Sequence, residues 1–92
     1  MQARTDSGAT LNDDLLGETE YRDRLRELPP SAKLVAKVLE GTDALTHAQL
    51  AEESLLPDRT VRYALDRLES AELVDSRMSF RDARKRVYFL RR

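Results

Sequence analysis

Apolar residues recur at helical spacing in two stretches of the first half of the chain, and both stretches end at helix-breaking residues. The first covers about residues 18–27 and ends at Pro29-Pro30, because proline lacks an N–H and disfavours the α conformation in the residue before it. The second follows Ser31, which we expect to be an N-cap, and ends at Gly41. Its expected core stripe consists of Leu34, Val35, Val38 and Leu39.

A capping box marks the start of the next helix. In Thr46-His47-Ala48-Gln49 the threonine occupies the N-cap and the glutamine lies three residues later, so that each side chain can accept a backbone N–H of the other residue. We therefore expect a helix over about residues 47–54, preceded by an isolated β-bridge at Ala44-Leu45. Leu50 and Ala51 would face the core.

A strongly amphipathic helix follows within LAEESLLPDRTVRYALDRLESAELV, residues 50–74. It begins at Asp58, or at Pro57 with Asp58 in its first turn. Four apolar positions at i, i+3, i+4 and i+7 predict a buried face, which consists of Val61, Ala64, Leu65 and Leu68. The opposite face carries Arg59, Arg62, Tyr63, Asp66 and Arg67, with Thr60 at its margin.

The C-terminal part of the chain changes to strand-like patterns. The runs LVDSRMSF and KRVYFLRR are rich in β-forming residues and are separated by the polar RDAR, which predicts a β-hairpin with a charged tip. The fold class is therefore mainly α with a small β-hairpin, an α+β fold. Helices joined by a tight turn and followed by a hairpin are the element order of a winged helix-turn-helix domain.

Composition limits the function classes. A chain of 92 residues suits one domain. The absence of cysteine and the presence of one histidine exclude disulfides, thiolate catalysis and a zinc site built from several Cys or His ligands. The sequence contains no glycine-rich phosphate loop and no nucleophile–base pair around that histidine, so we expect no enzyme, no metal and no cofactor.

Charge is distributed unevenly along the chain, although the formal net charge is −1. Residues 1–28 carry four arginines and seven carboxylates, whereas residues 77–92 carry seven cationic side chains and Asp82 alone as an acid. Arginine outnumbers lysine 13 to 3, which suits bidentate contacts to phosphate or guanine, although a codon or environmental bias would give the same ratio.

The N-terminal residues predict a tail and a helix ahead of the main domain. The polar residues 1–10 are expected to form a disordered tail, residues 11–28 an N-terminal helix, and residues 29–92 the winged domain. The chain lacks a signal-peptide h-region and any membrane-length apolar run, so we expect a cytoplasmic protein without membrane contact. We expect a homodimer formed through an apolar stripe of the N-terminal helix; alternatively, the stripe folds back onto its own domain. The stripe consists of Tyr21, Leu25 and Leu28.

Residues 31–90 resemble the winged-helix domains of MarR-type and related archaeal transcription regulators. The pattern of residues 50–74 and the wing motif D-x-R-x-R, here Asp82-Ala83-Arg84-Lys85-Arg86, carry the resemblance. Family members usually have glycine where this chain has Leu55 and Glu72. A non-glycine residue in the left-handed conformation costs on the order of 1 kcal/mol, so either the chain accepts this cost or the local turns differ.

The resemblance implies a sequence-specific transcription regulator that binds double-stranded DNA. The recognition helix, about residues 58–70, would enter the major groove, and the wing, about residues 79–86, would lie at the minor groove. The alternative is a winged-helix scaffold that binds proteins within a larger assembly. The sequence indicates no separate sensor domain and does not identify an effector.

The expected DNA contacts fall into three groups. On the recognition helix, base readout is assigned to Arg59, Thr60, Arg62 and Tyr63, and phosphate contact to Arg67. On the wing, the resemblance implies that Asp82 braces the tip, that Arg84 enters the minor groove, and that Arg81, Lys85 and Arg86 lie near phosphates. Possible phosphate contacts at helix N-termini are Ser31, Thr46, His47 and Gln49.

Structural explanations stay open for the same residues. The arginines could form a solvated helix face and a solubilising hairpin, and Asp58 could pair with Arg62 at i,i+4. Tyr63 could pack against the wing. Helix capping alone would account for Ser31, Thr46 and Gln49.

Overall fold

The computed structural model of the protein describes residues 15–92. The predicted tail and the predicted start of the first helix, residues 11–14, lie outside the described residues. Residues 15–92 form four helices: α1 (Glu18–Arg26), α2 (Pro30–Glu40), α3 (His47–Ser54) and α4 (Asp58–Ser70). Three strands complete the fold: β1 (Leu45–Thr46), β2 (Val74–Met78) and β3 (Arg86–Leu90). This arrangement confirms the predicted α+β class.

The three strands form one antiparallel sheet in the order β1-β3-β2. The predicted isolated bridge at Ala44-Leu45 is wrong: the paired residues are Leu45 and Thr46, which lie opposite Tyr88 and Val87 of β3. Because β3 pairs with β1 on one side and β2 on the other, the hairpin is joined to the start of α3.

The core lies between α2, α3, α4 and the sheet. All four apolar residues predicted for the inner face of α4 are buried, as is Leu50 of α3. The α2 stripe is partly wrong, since the side chain of Leu34 is 40% exposed while Ala32 and Ala36 are buried. Small side chains allow α2 to approach its neighbours closely, and this packing rotates the helix so that Leu34 faces outward.

The start of α2 also differs from the prediction. Pro29 is the N-cap, without a side-chain cap hydrogen bond, and Pro30 is the first helical residue. Proline suits that position because its fixed φ matches the helix and its missing N–H would have no helical partner. Ser31 therefore lies inside the first turn and is not the N-cap.

Helix α1 packs against the rest of its own chain. The relative exposures of Tyr21, Leu25 and Leu28 are 1%, 7% and 9%, and all three belong to the main hydrophobic core. The Tyr21 hydroxyl donates a hydrogen bond of 2.7 Å to Glu40 Oε2. The prediction that these residues form a dimer interface is therefore wrong, because the chain itself already covers them.

In the described part of the chain, two non-glycine residues adopt the left-handed conformation, at the two positions noted in the sequence. Leu55 has φ 63° and Glu72 has φ 61°. Both turns close a helix: the Leu55 N–H donates to Ala51 O, and the Glu72 N–H donates to Glu69 O. The chain thus accepts a cost on the order of 1 kcal/mol at each turn.

Arg24 of α1 makes polar contacts at the turn that contains Glu72. Its guanidinium donates a 3.0 Å hydrogen bond to the carbonyl of Ala71 and lies 3.6 Å from the carboxylate of Glu72. These contacts connect α1 to the C-terminal end of α4. Within residues 15–92, no helix is both long and apolar enough to cross a membrane.

Candidate nucleic-acid interface

Helix α4 exposes a polar face, and its opposite, apolar face is buried in the core. Pro57 is its N-cap and Asp58 is its first helical residue. This agrees with the prediction that Pro57 opens the helix with Asp58 in the first turn. The predicted outer face is exposed, and Thr60 at its margin is half-buried; the exposed residues are Arg59, Arg62, Tyr63, Asp66 and Arg67. Burial of the opposite face fixes the direction in which these side chains leave the helix.

The two arginines in the leading half of α4 have no ion-pair partner among residues 15–92. In particular, the predicted pair between Asp58 and Arg62 does not form. An exposed i,i+4 pair contributes only about 0.3–0.5 kcal/mol, which barely offsets the entropy of ordering two long side chains. The guanidinium groups of Arg59 and Arg62 are therefore available to an external anion or base.

Tyr63 and Arg67, one turn apart on α4, contact each other. Arg67 Nη1 donates a hydrogen bond of 3.0 Å to the Tyr63 hydroxyl, and its guanidinium carbon lies 5.9 Å from the centre of the ring. The polar partner of Tyr63 is thus on its own helix and not on the hairpin. This contact orders Arg67, while the ring of Tyr63 stays about half exposed.

The tip of the hairpin, residues 79–85, is a hydrogen-bonded turn that we call the wing tip. The Ser79 hydroxyl accepts the backbone N–H groups of Arg81 and Asp82 at 3.1 and 3.4 Å. The Ser79 N–H donates to the Lys85 carbonyl, and the Lys85 N–H donates to the Asp82 carbonyl. The turn is longer than the predicted RDAR because β2 ends at Met78.

Asp82 braces the wing tip through Arg84. Its Oδ1 accepts the backbone N–H of Arg84 at 3.0 Å and the guanidinium Nε at 3.2 Å. These hydrogen bonds lower the pKa of the Asp82 carboxyl. The Arg84 side chain is otherwise exposed, and so are Arg81 and Lys85, whereas Arg86 donates a 3.1 Å hydrogen bond to the Ser76 hydroxyl.

The start of α3 faces β3 across a cleft of about 240 Å³. Its lining residues are Thr46, His47, Ala48, Lys85, Arg86 and Tyr88. The predicted capping box is confirmed, with Gln49 N–H donating to Thr46 Oγ1 at 3.1 Å and Thr46 N–H donating to Gln49 Oε1 at 2.9 Å. His47 Nε2 lies 3.1 Å from the Asp58 carbonyl. Ser31 does not line this cleft.

Negative charge limits the positive surface at the far end of α4. Burial, followed by the charges of Asp66 and Asp75, raises the pKa of Glu69. These three carboxyl groups belong to the C-terminal half of α4 and to β2. Exposed arginines are therefore accompanied by fewer carboxylates on the leading half of α4 and at the wing tip than beside Glu69.

The sequence-based assignment missed Phe80 within the wing tip and Arg77 beside it. Arg77 places its guanidinium 4.9 Å from the ring centre of Phe80 and 6.0 Å from that of Phe89. Phe80 is 93% exposed. The sequence placed Phe80 in a strand, but the preceding Ser79 is a turn-forming residue that could have indicated its position outside β2.

Solved structures of bacterial regulators share this architecture. A doubly substituted form of ZitR from Lactococcus lactis is 25% identical with a TM-score of 0.68, and the match covers 90% of this chain and 55% of that one. MepR from S. aureus, in a DNA complex, is 18% identical with a TM-score of 0.66 over 79% of this chain and 62% of its own. The MarR family transcription regulator SP03579 is 20% identical with a TM-score of 0.66, covering 91% and 55%.

The chain thus spans somewhat more than half the length of each of these three structures. The sequence matches no protein-family model and no curated protein. Among residues 15–92, no three potential metal ligands cluster together. The shared helices and sheet confirm the winged helix-turn-helix fold that the sequence predicts, and in this fold the chain is similar to MarR-family transcription regulators.

Proposed function

We propose that this protein is a sequence-specific, double-stranded-DNA-binding transcription regulator. The observation that carries the proposal is that Arg59 and Arg62 project from a helix with a buried inner face and have no ion-pair partner among the described residues. A basic wing tip accompanies this helix in the same domain. MepR, which shares the fold, was solved as a DNA complex, and this supports DNA as the partner.

Helix α4 would read bases in the major groove. That groove admits an α-helix, and an arginine can donate two hydrogen bonds to O6 and N7 of guanine. Arg59 and Arg62 are assigned this readout, with Thr60 and Tyr63 beside them. Arg67, held by the Tyr63 hydroxyl, would contact a phosphate.

The wing tip would contact the minor groove and its phosphates. Arg84 is assigned to the groove, where a narrow A·T-rich segment has an enhanced negative potential. Phosphate contacts are assigned to Arg81, Lys85 and Arg86, and to the helix N-terminal residues Ser31, Thr46, His47 and Gln49. Because the capping box already uses the backbone N–H groups of Thr46 and Gln49, these two residues would donate to a phosphate through the Thr46 hydroxyl and the Gln49 side-chain amide nitrogen.

We propose a cytoplasmic homodimer without enzymatic activity, whose interface uses surfaces other than the buried stripe of α1. A two-fold dimer would favour a pseudo-palindromic site with half-sites about 10 base pairs, or a multiple of this, apart.

The test is selection from random double-stranded DNA, followed by anisotropy titrations of the selected site over a range of salt concentrations. We expect an enriched motif and an affinity that falls linearly in log–log form with salt, because arginines displace condensed counterions. A failure to bind any selected or genomic fragment even at low salt would refute the proposal and would favour the protein-binding scaffold.

A further inference from the structure

Phe80 is the most exposed of the large apolar side chains in the described part of the chain. Its ring is 93% exposed, more than Leu55 at 88%. It contributes nothing to the hydrophobic core, so its aromatic character is not required for folding. A single exposed apolar side chain is common on protein surfaces, so the surroundings of Phe80 decide whether it has a partner.

The backbone on both sides of Phe80 is fixed. On one side the Ser79 N–H donates to the Lys85 carbonyl at 2.8 Å, and on the other the Arg81 N–H donates to the Ser79 hydroxyl. The guanidinium carbon of Arg77 lies 4.9 Å from the ring centre, a distance typical of a cation–π contact, while the residue stays 93% exposed. Phe80 is therefore held in a projecting position before any partner binds, which limits the entropy lost on binding.

The charge around Phe80 favours a nucleic acid over a protein. Arg77 lies over the ring, and Arg81 and Lys85 line the same cleft as Phe80. The acidic residues of this cleft are Asp43 and Asp82, and Asp82 is already hydrogen-bonded to Arg84. A stable protein interface needs a contiguous surface of about 1,000 Å² or more with a largely apolar centre. A single ring among arginines resembles instead the apolar side chains that proteins insert into the minor groove.

We propose that Phe80 is an apolar DNA contact of the wing, with its ring packed against deoxyribose and base-step edges in the minor groove. This inference rests on the proposed function and adds a non-ionic contact to it. The arginines of the wing tip would supply attraction that depends on salt. Phe80 would supply affinity that salt does not screen. This affinity would depend on how easily the DNA deforms at the contacted base-pair step.

The experiment compares Phe80→Ala and Phe80→Leu with the wild type on its selected DNA site at several salt concentrations. Because the side chain is exposed, both variants should keep the wild-type melting temperature. We expect roughly tenfold weaker binding for Phe80→Ala, a loss within about threefold for Phe80→Leu, and an unchanged salt slope, since no charge is removed. Hydroxyl-radical footprinting should show that Phe80→Ala loses protection at the sugars beside the wing.

Leu34→Ala is the matched control, because it shortens an apolar side chain that is also exposed but lies on α2. It should bind DNA like the wild type. Wild-type affinity for Phe80→Ala would overturn this inference and leave the proposed function intact, whereas absence of DNA binding by the wild type would refute both.

Two further outcomes would also overturn the inference. If both Phe80 variants lost affinity equally and the salt slope fell by about one charge, the ring would act only by placing Arg77. If Phe80→Ala bound DNA normally but lowered the mass measured by light scattering, the ring would be a contact between protein subunits.

Discussion

Helix α4 and the wing tip both present arginines to solvent, and different forces hold the two sets in place. Beneath α4, four buried apolar side chains fix the helix axis and rotation. At the wing tip, the Ser79 hydroxyl and the Asp82 carboxylate hold the backbone through hydrogen bonds in a largely exposed turn. The two elements can therefore be disturbed separately, because α4 depends on the core and the wing tip depends on local polar contacts.

This contrast suits the two kinds of DNA readout. Base recognition needs donors placed within a few tenths of an ångström, which a packed helix provides. Groove width and phosphate position vary along DNA, and a locally hydrogen-bonded turn can adjust to them without unfolding the domain. We therefore expect changes under α4 to affect stability and changes at the wing tip to affect DNA binding alone.

The largest expected effect is a loss of stability when a residue on the buried face of α4 is truncated. Leu68 is fully buried, so Leu68→Ala should lower the free energy of unfolding by about 2–5 kcal/mol through lost burial and a new cavity. Urea denaturation followed by circular dichroism measures this change. Leu34→Ala is the control and should stay within about 0.5 kcal/mol of the wild type, since Leu34 is exposed. Equal losses for both variants would contradict the packing described for α2 and α4.

A smaller effect tests whether the core beneath α4 extends to α1. Tyr21→Phe removes the hydroxyl that donates to Glu40 and should cost about 0.5–1.5 kcal/mol. The burial of Tyr21 and its hydrogen bond to Glu40 also raise the pKa of the phenol, so the wild-type tyrosine should titrate at higher pH than an exposed one in a spectrophotometric titration. An unperturbed Tyr21 would contradict the docking of α1 on its own chain.

At the wing tip, Ser79→Ala removes the acceptor of the Arg81 and Asp82 N–H groups. We expect less than about 0.5 kcal/mol of change in global stability, because the turn is exposed. Hydrogen exchange at those two amides should accelerate, and DNA affinity should fall. A global loss as large as that of Leu68→Ala would show that the wing tip is part of the core and would remove the contrast with α4.

The smallest effect concerns pH. The hydrogen bonds from Arg84 lower the folded-state pKa of Asp82, so the brace is fully present above the ordinary carboxyl pKa of about 4 and is lost only as pH falls through the lowered value. The Arg84 amide, followed by NMR, should titrate below the range of an unperturbed aspartate. In Asp82→Asn the same amide should not titrate, and a wild-type transition near pH 4 or above would contradict the brace.

The sequence predicts the parts of the fold that are determined locally. Helix α3 could be placed from its capping box and α4 from Pro57 and its apolar periodicity, because caps and prolines act within one turn. The rotation of α2 could not be predicted, since burying Ala32 and exposing Leu34 depends on how closely other helices approach. Helical periodicity also does not show whether Tyr21, Leu25 and Leu28 pack on their own domain or on a second chain, because this depends on tertiary packing.

The candidate site shows a similar division. The arginines of α4 follow from helical periodicity, and the brace by Asp82 follows from the wing motif. Phe80 and Arg77 were missed because their stacking depends on where β2 ends and on a contact between side chains that period-2 alternation does not reveal. The absence of an Asp58–Arg62 ion pair also depends on side-chain conformation, which the spacing alone leaves open.

The measurement that tests the account most directly compares two pairs of variants on the selected site and on a scrambled site at several salt concentrations. Arg59→Ala and Arg62→Ala should each cost about 1–3 kcal/mol on the selected site and reduce the preference for it. Arg84→Ala and Arg86→Ala should weaken binding to both DNAs by similar factors and flatten the salt slope. Equal losses on both DNAs for the α4 variants, with sequence preference changed only by the wing variants, would contradict this division between helix and wing.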